Sequence, residues 1–317
     1  MQAIVHERYG PPEGLRLAEV PTPTPGPKQV LVAVMATSVN LSDWEGLVGS
    51  PAYARIGGLR RPARPVLGSD IAGRVEAVGA EVMRFRPGDE VYGDNLGLKG
   101  GFAEYALAPE AALAHKPEGL SFRDASTLPQ AGPIALQGTA GLEPGQRLLI
   151  NGAGGGTGSF AIQMAKQAGA HVTGVDNAAK LDFMRSLGAD EVLDYRTDDF
   201  TRRGPFDLVL DLVAHRSVFA YRRALAAGGT YRMVGGPVRT LLRVVVGGAV
   251  VGRASGRSIG LLVVKPGPDH FEPVARRCLD GEIAIHVDRT FALDEVPQAL
   301  AYVGEGHALG KVVVEVG

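Results

Sequence analysis

The stretch Leu148-Leu149-Ile150-Asn151-Gly152-Ala153-Gly154-Gly155-Gly156-Thr157-Gly158-Ser159 decides the fold. A short apolar run enters a glycine-packed turn, and an amphipathic segment follows at once. Gln146 to Ile150 reads as a strand. Ser159 to Ala168 reads as a helix, with Phe160, Ile162, Met164 and Ala165 supplying its apolar surface. Gly169 provides the left-handed residue that commonly closes a helix. The register of the turn is Ala-x-Gly-x-x-Gly on Ala153, Gly155 and Gly158, with Ala153 where a first glycine is usual. Glycines there let backbone N–H groups approach a diphosphate, and the positive end of the helix offsets part of its charge. A second strand, His171 to Val175, ends at Asp176, 18 residues beyond Gly158. Dinucleotide sites place their ribose-binding carboxylate at roughly 20 residues. The turn therefore predicts a nicotinamide dinucleotide held by Ala153, Gly155, Gly156, Thr157 and Gly158, with Asp176 on the ribose.

Around this unit, residues 121–265 alternate helix and strand. Candidate strands lie at 146–150, 171–175, 191–194, 207–211, 230–234 and 258–264, a pattern that predicts a doubly wound parallel sheet. Residues 1–120 instead show short strands punctuated by Gly and Pro. Val30 to Thr37 and Ile71 to Val78 are two of them, and Pro87-Gly88-Asp89-Glu90-Val91-Tyr92 is a turn entering another. Pro21 to Pro27 is an extended connector. This lobe reads as a β-barrel, completed by residues 266–317 with helices near 271–280 and 297–305 and a last strand from Lys311 to Val316. The fold class is thus α/β, in two domains. Thr240 to Gly252, apolar between Arg243 and Arg253, has three open readings: a cover over a pocket, a surface against a second subunit, or core.

Composition narrows the function. The 317 residues are 45% hydrophobic, ample for two cores, and the net charge is −1. Such balance lacks the basic footprint of a nucleic-acid binder. Cys278 is the sole cysteine, so neither an internal disulfide nor a cysteine-rich zinc site is possible. No basic leader precedes the first strand, and the most apolar run, Val244 to Val251, is too short to span a bilayer. A soluble, cytoplasmic protein is expected. Pairing of the edge strand near 258–264 makes a homodimer the expected assembly.

Several segments in order resemble the medium-chain dehydrogenase/reductase superfamily, in its zinc-free quinone oxidoreductase branch. They are Ser38-Val39-Asn40-Leu41-Ser42-Asp43, Pro65-Val66-Leu67-Gly68-Ser69-Asp70-Ile71-Ala72-Gly73, Phe85 to Tyr92, Gly101-Phe102-Ala103-Glu104-Tyr105, the glycine turn, Leu187-Gly188-Ala189-Asp190 and Gly310-Lys311-Val312-Val313. The resemblance implies a GroES-like catalytic domain split around a Rossmann domain, with the active site in the cleft between them. In zinc alcohol dehydrogenases of this architecture a cysteine occupies the early loop, and Gly-His-Glu supplies further ligands. Asn40 and Gly68-Ser69-Asp70 stand there instead, and no four-cysteine lobe corresponds to Asp94 to Gly101. Asp70 alone cannot make a zinc ligand set. No metal is expected.

A Lewis acid lowers the barrier to hydride transfer at a simple carbonyl by several kcal/mol. Without one, the substrate needs its own electron sink, as quinones and activated alkenes have. The resemblance places Asn40 beside the nicotinamide, where its amide would donate to a substrate oxygen; the alternative is a cap on the turn after the Val30 strand. Ser42 or Asp43 would cap a short helix at Trp44-Glu45-Gly46. Tyr53 is the second catalytic candidate, lining the pocket or giving a proton, against simple surface packing. Arg55, Arg60, Arg61 and Arg64 make the loop 51–65 basic, either as a solvated surface or to attract an anionic substrate or cofactor phosphate. The expected partner is a small electrophilic molecule, and the expected activity is NAD(P)H-dependent reduction of a quinone or activated alkene. An enoyl-thioester reductase and a non-catalytic NAD(P)H-binding redox sensor are the alternatives.

Two cues set the cofactor. Asp176 favours an unphosphorylated ribose, whereas Lys180 and Tyr195 match positions where similar NADPH enzymes hold the 2′-phosphate. Lys180 also reads as a surface lysine, and Tyr195 as packing beside the adenine. The balance is NADPH, with NADH allowed. Gly235 and Lys311 complete the candidate cofactor contacts. Ile134 stands where relatives commonly have threonine, which removes one hydrogen bond worth about 1 kcal/mol.

Overall fold

A two-stranded ribbon, β1 (Gln2–Val5) and β2 (Arg16–Glu19), opens the chain. Then follows β3 (Gln29–Val39), an 11-residue strand rich in valine and alanine. In this computed structural model, which describes residues 1–56 and 58–317, β3 pairs antiparallel with three strands. After β3 the chain turns into α1 (Leu41–Val48), which Gly49 ends at φ 65°, and a 3₁₀ turn over Ala52–Arg55. The strands β4 (Asp70–Val78), β5 (Glu90–Asp94), β6 (Tyr105–Pro109) and β7 (Leu113–His115) follow. The short α2 (Phe122–Ala125) and α3 (Ala131–Gly138) lead out of this region.

The contiguous segment Ile134–Val264 is one compact unit. Its strands are β8 (Arg147–Asn151), β9 (His171–Asp176), β10 (Glu191–Asp194), β11 (Phe206–Asp211), β12 (Leu225–Met233) and β13 (Ser258–Leu261). Its helices are α4 (Gly156–Gln167), α5 (Leu181–Ser186), α6 (Val218–Ala224) and α7 (Val238–Ala254). All six strands are parallel in the order β10-β9-β8-β11-β12-β13. Helical crossovers bury both faces of such a sheet, and Leu148, Leu149, Ile150, Val172, Val209 and Leu210 are accordingly inaccessible. The order reverses between β8 and β11, the place where doubly wound sheets open a ligand crevice at the carboxyl ends of their strands.

Residues Met1–Pro133 and Lys265–Gly317 form the other unit. The returning chain contributes α8 (Pro268–Leu279), β14 (Val287–Ala292), α9 (Val296–Gly304) and β15 (Lys311–Glu315). β15 lies beside β3, with Val312 opposite Val39. One core gathers Val30, Val32, Ile71, Val75, Phe85 and Val91; another joins Ile4, Val39, Leu47, Val296, Leu300 and Val312.

Several boundaries differ from the sequence expectation. The first unit runs to Pro133 rather than 120. Gln130 hydrogen-bonds with Ser42 and Ser69, and Gly132 lies so close to Val274 that an added Cβ would come within 3.2 Å of it, which ties 121–133 to this unit. α4 begins at Gly156, inside the glycine turn, not at Ser159. β12 runs over Leu225–Met233, with an irregular register against β11 between Phe206 and Leu208. β13 stops at Leu261 rather than 264. The apolar run 240–252 forms most of α7. Among the described residues, no helix is long and apolar enough to cross a membrane.

Candidate active site

The glycine turn occupies the carboxyl end of β8, at the reversal of strand order. Gly152 sits at φ 88°, and the amides of Gly152 and Ala153 donate to the Val175 carbonyl at 2.9 and 3.1 Å. Asn151 Nδ2 donates to Asp211 Oδ1 at 2.8 Å, which joins the ends of β8 and β11 beneath the turn. Asp211 also accepts the amides of Val213 and Ala214 and the Tyr231 hydroxyl. Neither Asn151 nor Asp211 was singled out from the sequence. Their only cue is a polar residue closing an apolar strand.

The two motif glycines answer different demands. A Cβ at Gly158 would lie 2.4 Å from the Ala153 carbonyl oxygen, so glycine is needed there for α4 to approach β8. A Cβ at Gly155 would meet only the Gly152 oxygen at 3.7 Å, an ordinary contact, and φ is −91°. The protein itself therefore has room for a side chain at 155. The backbone is left bare above the first turn of a 12-residue helix, whose first amides lack intrahelical acceptors. That cradle fits a diphosphate.

Asp176, Lys180 and Tyr195 converge at the ends of β9 and β10. The Gly154 amide donates to Asp176 Oδ2 at 3.0 Å, and Lys180 Nζ lies 3.5 Å from Oδ1. Lys180 is only 5% exposed, so it is not a surface lysine; its stem packs over Gly154. Tyr195 is exposed, and its amide donates to the Asp176 carbonyl. The Arg196 guanidinium sits 5.6 Å from the Tyr195 ring centre, a cation missed in the sequence although it directly follows a candidate. Gly235, at φ 66°, is exposed just past β12 on the same carboxyl edge.

The other unit holds a buried polar cluster. Asn40 precedes α1, and its amide N–H donates to Asp43 Oδ2 at 3.0 Å. Asp43 thus caps from the third helical position, and α1 starts at Leu41, three residues before the expected helix. The Asn40 side chain is fully engaged. Nδ2 donates to Ser69 Oγ at 3.2 Å and Asp70 Oδ2 at 2.8 Å, while Oδ1 accepts from Lys311 Nζ at 2.7 Å. Both amide protons are engaged inside the protein, where the sequence reading has Asn40 donate to a substrate oxygen. Lys311, 2% exposed, is likewise engaged inside the protein. Its ammonium lies 3.6 Å from Asp70 Oδ2.

Asp70 and Asp94 face each other across β4 and β5. Burial raises the Asp70 carboxyl to about 6, against the pull of Lys311, Asn40 and Ser38. Burial, then repulsion from Asp70, raises Asp94 to about 7. Asp70 Oδ1 is buried without a hydrogen-bond partner among the described residues. Zinc does not fit this donor set: the Lys311 ammonium already lies against the Asn40 amide oxygen and the Asp70 carboxylate. Among the described residues, no group of three or more His, Cys, Asp or Glu is placed to hold a metal ion.

Tyr53 lies in the 3₁₀ turn over Ala52–Arg55, and its hydroxyl donates to Glu45 Oε1 at 3.2 Å. Burial pushes the Glu45 carboxyl up, against that hydrogen bond. Of the Arg-rich loop, Arg55 donates to the Gly49 carbonyl and stacks on Tyr9, so it is structural, while Gly57 lies outside the described residues.

Comparison with known proteins agrees with this architecture. The family model described as the alcohol dehydrogenase GroES-like domain matches residues 26–118, and that described as zinc-binding dehydrogenase matches 187–314. The chain is 32% identical to the chloroplastic quinone-oxidoreductase QR1 of Triphysaria versicolor, over 99% of this chain and 98% of that one. It is 32% identical to 2-methylene-furan-3-one reductase of Solanum lycopersicum, over 99% of this chain and 79% of the relative. The structure of the quinone oxidoreductase from Coxiella burnetii superposes with a TM-score of 0.89 at 31% identity, covering 100% of this chain and 99% of that one. With a parallel sheet carrying a glycine cradle and a GroES-like unit completed by the chain's last strands, this protein is an oxidoreductase of NAD(P)H type and belongs to the medium-chain dehydrogenase/reductase superfamily, in its quinone oxidoreductase-like branch.

Proposed function

We propose that the protein is a zinc-independent, NADPH-preferring reductase of quinones or activated alkenes. The observation that carries this reading is Gly155: its backbone is bare although internal packing leaves room for a side chain, as a diphosphate lying across it would require. Bound NADPH would supply the hydride. The chain's own share is to grip the diphosphate with the α4 amides, orient the ribose and deliver a proton. The names of the quinone and furanone reductases support an acceptor with its own electron sink. So does the ammonium of Lys311 among the residues that replace zinc ligands.

For the 2′-phosphate, Lys180 neutralises Asp176, and Tyr195 and Arg196 add a hydroxyl and a second cation. Lys180→Ala should weaken NADPH about 10–100-fold, the worth of a charge-assisted hydrogen bond, and NADH much less. Asp176→Ala should strengthen NADPH and weaken NADH. Titration of both cofactors by fluorescence checks this, and equal losses for the two would remove the phosphate from Lys180.

Tyr53, backed by Glu45, is the proposed proton donor. Reduction of an alkene needs a proton on carbon, whereas a hydroquinone takes its protons from solvent. Tyr53→Phe should therefore slow alkenal turnover about 100-fold, the scale of general acid catalysis, and leave quinone turnover nearly unchanged. NADPH oxidation with 9,10-phenanthrenequinone, an alkenal and crotonyl-CoA in parallel tests the activity. Preference for the thioester would identify an enoyl-thioester reductase, and tight binding without turnover a redox sensor.

A further inference from the structure

Helix α7 turns mostly small residues inward and leaves an apolar strip outside. Thr240, Val244, Gly248 and Gly252 are its buried residues, and Leu241 and Val251 are half-buried against the same core. Gly248 and Gly252 sit so close to β13 that an added Cβ would meet the Ile259 and Arg257 carbonyl oxygens at 2.6 and 2.8 Å. The opposite face carries Leu242, Val245, Val246, Ala249 and Val250, all exposed, with Val246 at 72% and Val250 at 68%. Phe219 of α6, which packs against α7, is 67% exposed. An ordinary surface helix keeps its outer face polar, and an exposed apolar strip of this kind marks an interaction surface.

Charge identifies what covers it. From Leu212 to Pro268 the chain has nine basic residues and no acidic one, within a protein whose net charge is −1. On α7 itself Arg239 and Arg243 stand near the amino end and Arg253 near the carboxyl end, all exposed, with the apolar residues between them. Arg222 is exposed on α6. Arg223 is paired with Asp199, but no acidic group pairs with Arg222, Arg239, Arg243 or Arg253 among the described residues. A second copy docking through the same face would bring like charges together. A nucleic acid would leave the leucine and valines in water.

We propose that the outer face of α7 binds an anionic lipid surface, with the helix lying in the plane of the headgroups. An amphipathic helix with arginines beside an apolar strip gains from both burial of that strip and attraction to acidic headgroups. The proposal is independent of the substrate.

The test uses the full chain and two kinds of vesicle, phosphatidylcholine alone and phosphatidylcholine with one third phosphatidylglycerol. Co-sedimentation should favour the anionic vesicles by about tenfold or more, and high salt should weaken the binding. V246E/V250E, and separately R239Q/R243Q/R253Q, should each lower it about tenfold or more, with an unchanged unfolding midpoint because all five sites are exposed. V246W should show a blue-shifted emission only with the anionic vesicles. Absence of binding, equal binding to both vesicles, or binding unaltered in both variants would overturn the proposal. So would a dimer, seen by light scattering, that V246E/V250E dissociates while vesicles bind neither form; the face would then belong to a second copy. Capture on polyglutamate without lipid preference would overturn it in favour of an acidic protein.

Discussion

Lys311→Met should destabilise the protein by about 3–5 kcal/mol, the usual cost of removing one partner from a buried ion pair, and the loss should deepen as pH rises. The lysine is the counter-charge for Asp70, which is itself fully buried. Asp70's carboxyl, raised from 3.8 to about 6 with Lys311 in place, would be pushed higher without it. A carboxyl raised on folding binds more protons in the folded than in the unfolded chain. Its favourable contribution is therefore complete below the unfolded value and is lost as pH rises through the folded one. In the native protein that window spans roughly pH 4 to 6 for Asp70, and Asp94, raised to about 7, extends it through neutrality. Because the pair is coupled, the titration belongs to both carboxyls. Urea midpoints at pH 5.5 and pH 8 read this out directly. The deficit of Lys311→Met should be larger at pH 8, and Asp70→Asn in the same chain should restore much of it. Equal deficits at both pH values would show that Asp70 does not depend on the lysine.

Gly155→Val should leave stability almost unchanged and reduce NADPH affinity about 100-fold or more, some 3 kcal/mol. A Cβ there has space within the protein, where its nearest neighbour is the Gly152 oxygen at 3.7 Å. It would nevertheless stand where a diphosphate must touch the backbone. Gly158→Val is the contrasting case. Its Cβ falls 2.4 Å from the Ala153 oxygen, so fold and binding should fail together. Thermal unfolding with fluorescence titration separates the two effects. Normal affinity in Gly155→Val would mean that no diphosphate crosses this turn.

Local chemistry made the parallel unit legible. Apolar runs closed by Asn151, Asp176 and Asp211 announce their own strand ends, and Gly155 and Gly158 are required at fixed offsets from β8. Glycines at 156 and 158 suppress helix propensity and hide the start of α4 in the sequence, although the packing of α4 on the sheet imposes a helix there. α7 is ambiguous in the sequence for a related reason: small residues fill much of its buried side and apolar ones line its exposed side, which blurs the periodicity. The cluster around Asn40 was hidden by distance along the chain. Lys311 meets Asn40 across 271 residues, and the opposition of Asp70 to Asp94 follows from strand register, which no local pattern encodes. Resemblance found Asn40 and Lys311 as residues of interest, but only the geometry shows that they are spent on each other.

Because the first unit closes on β15, its assembly follows the order in which the ribosome releases the chain. The sheet-bearing segment 134–264 is continuous and can complete itself while synthesis is still under way. Residues 1–133 must instead wait for residues 311–315 to emerge, since both the strand beside Val39 and the counter-ion of Asp70 come from there. A nascent chain halted just short of Lys311 would hold an unneutralised carboxylate in an unsealed core, so premature termination there is expected to yield a ready substrate for proteases.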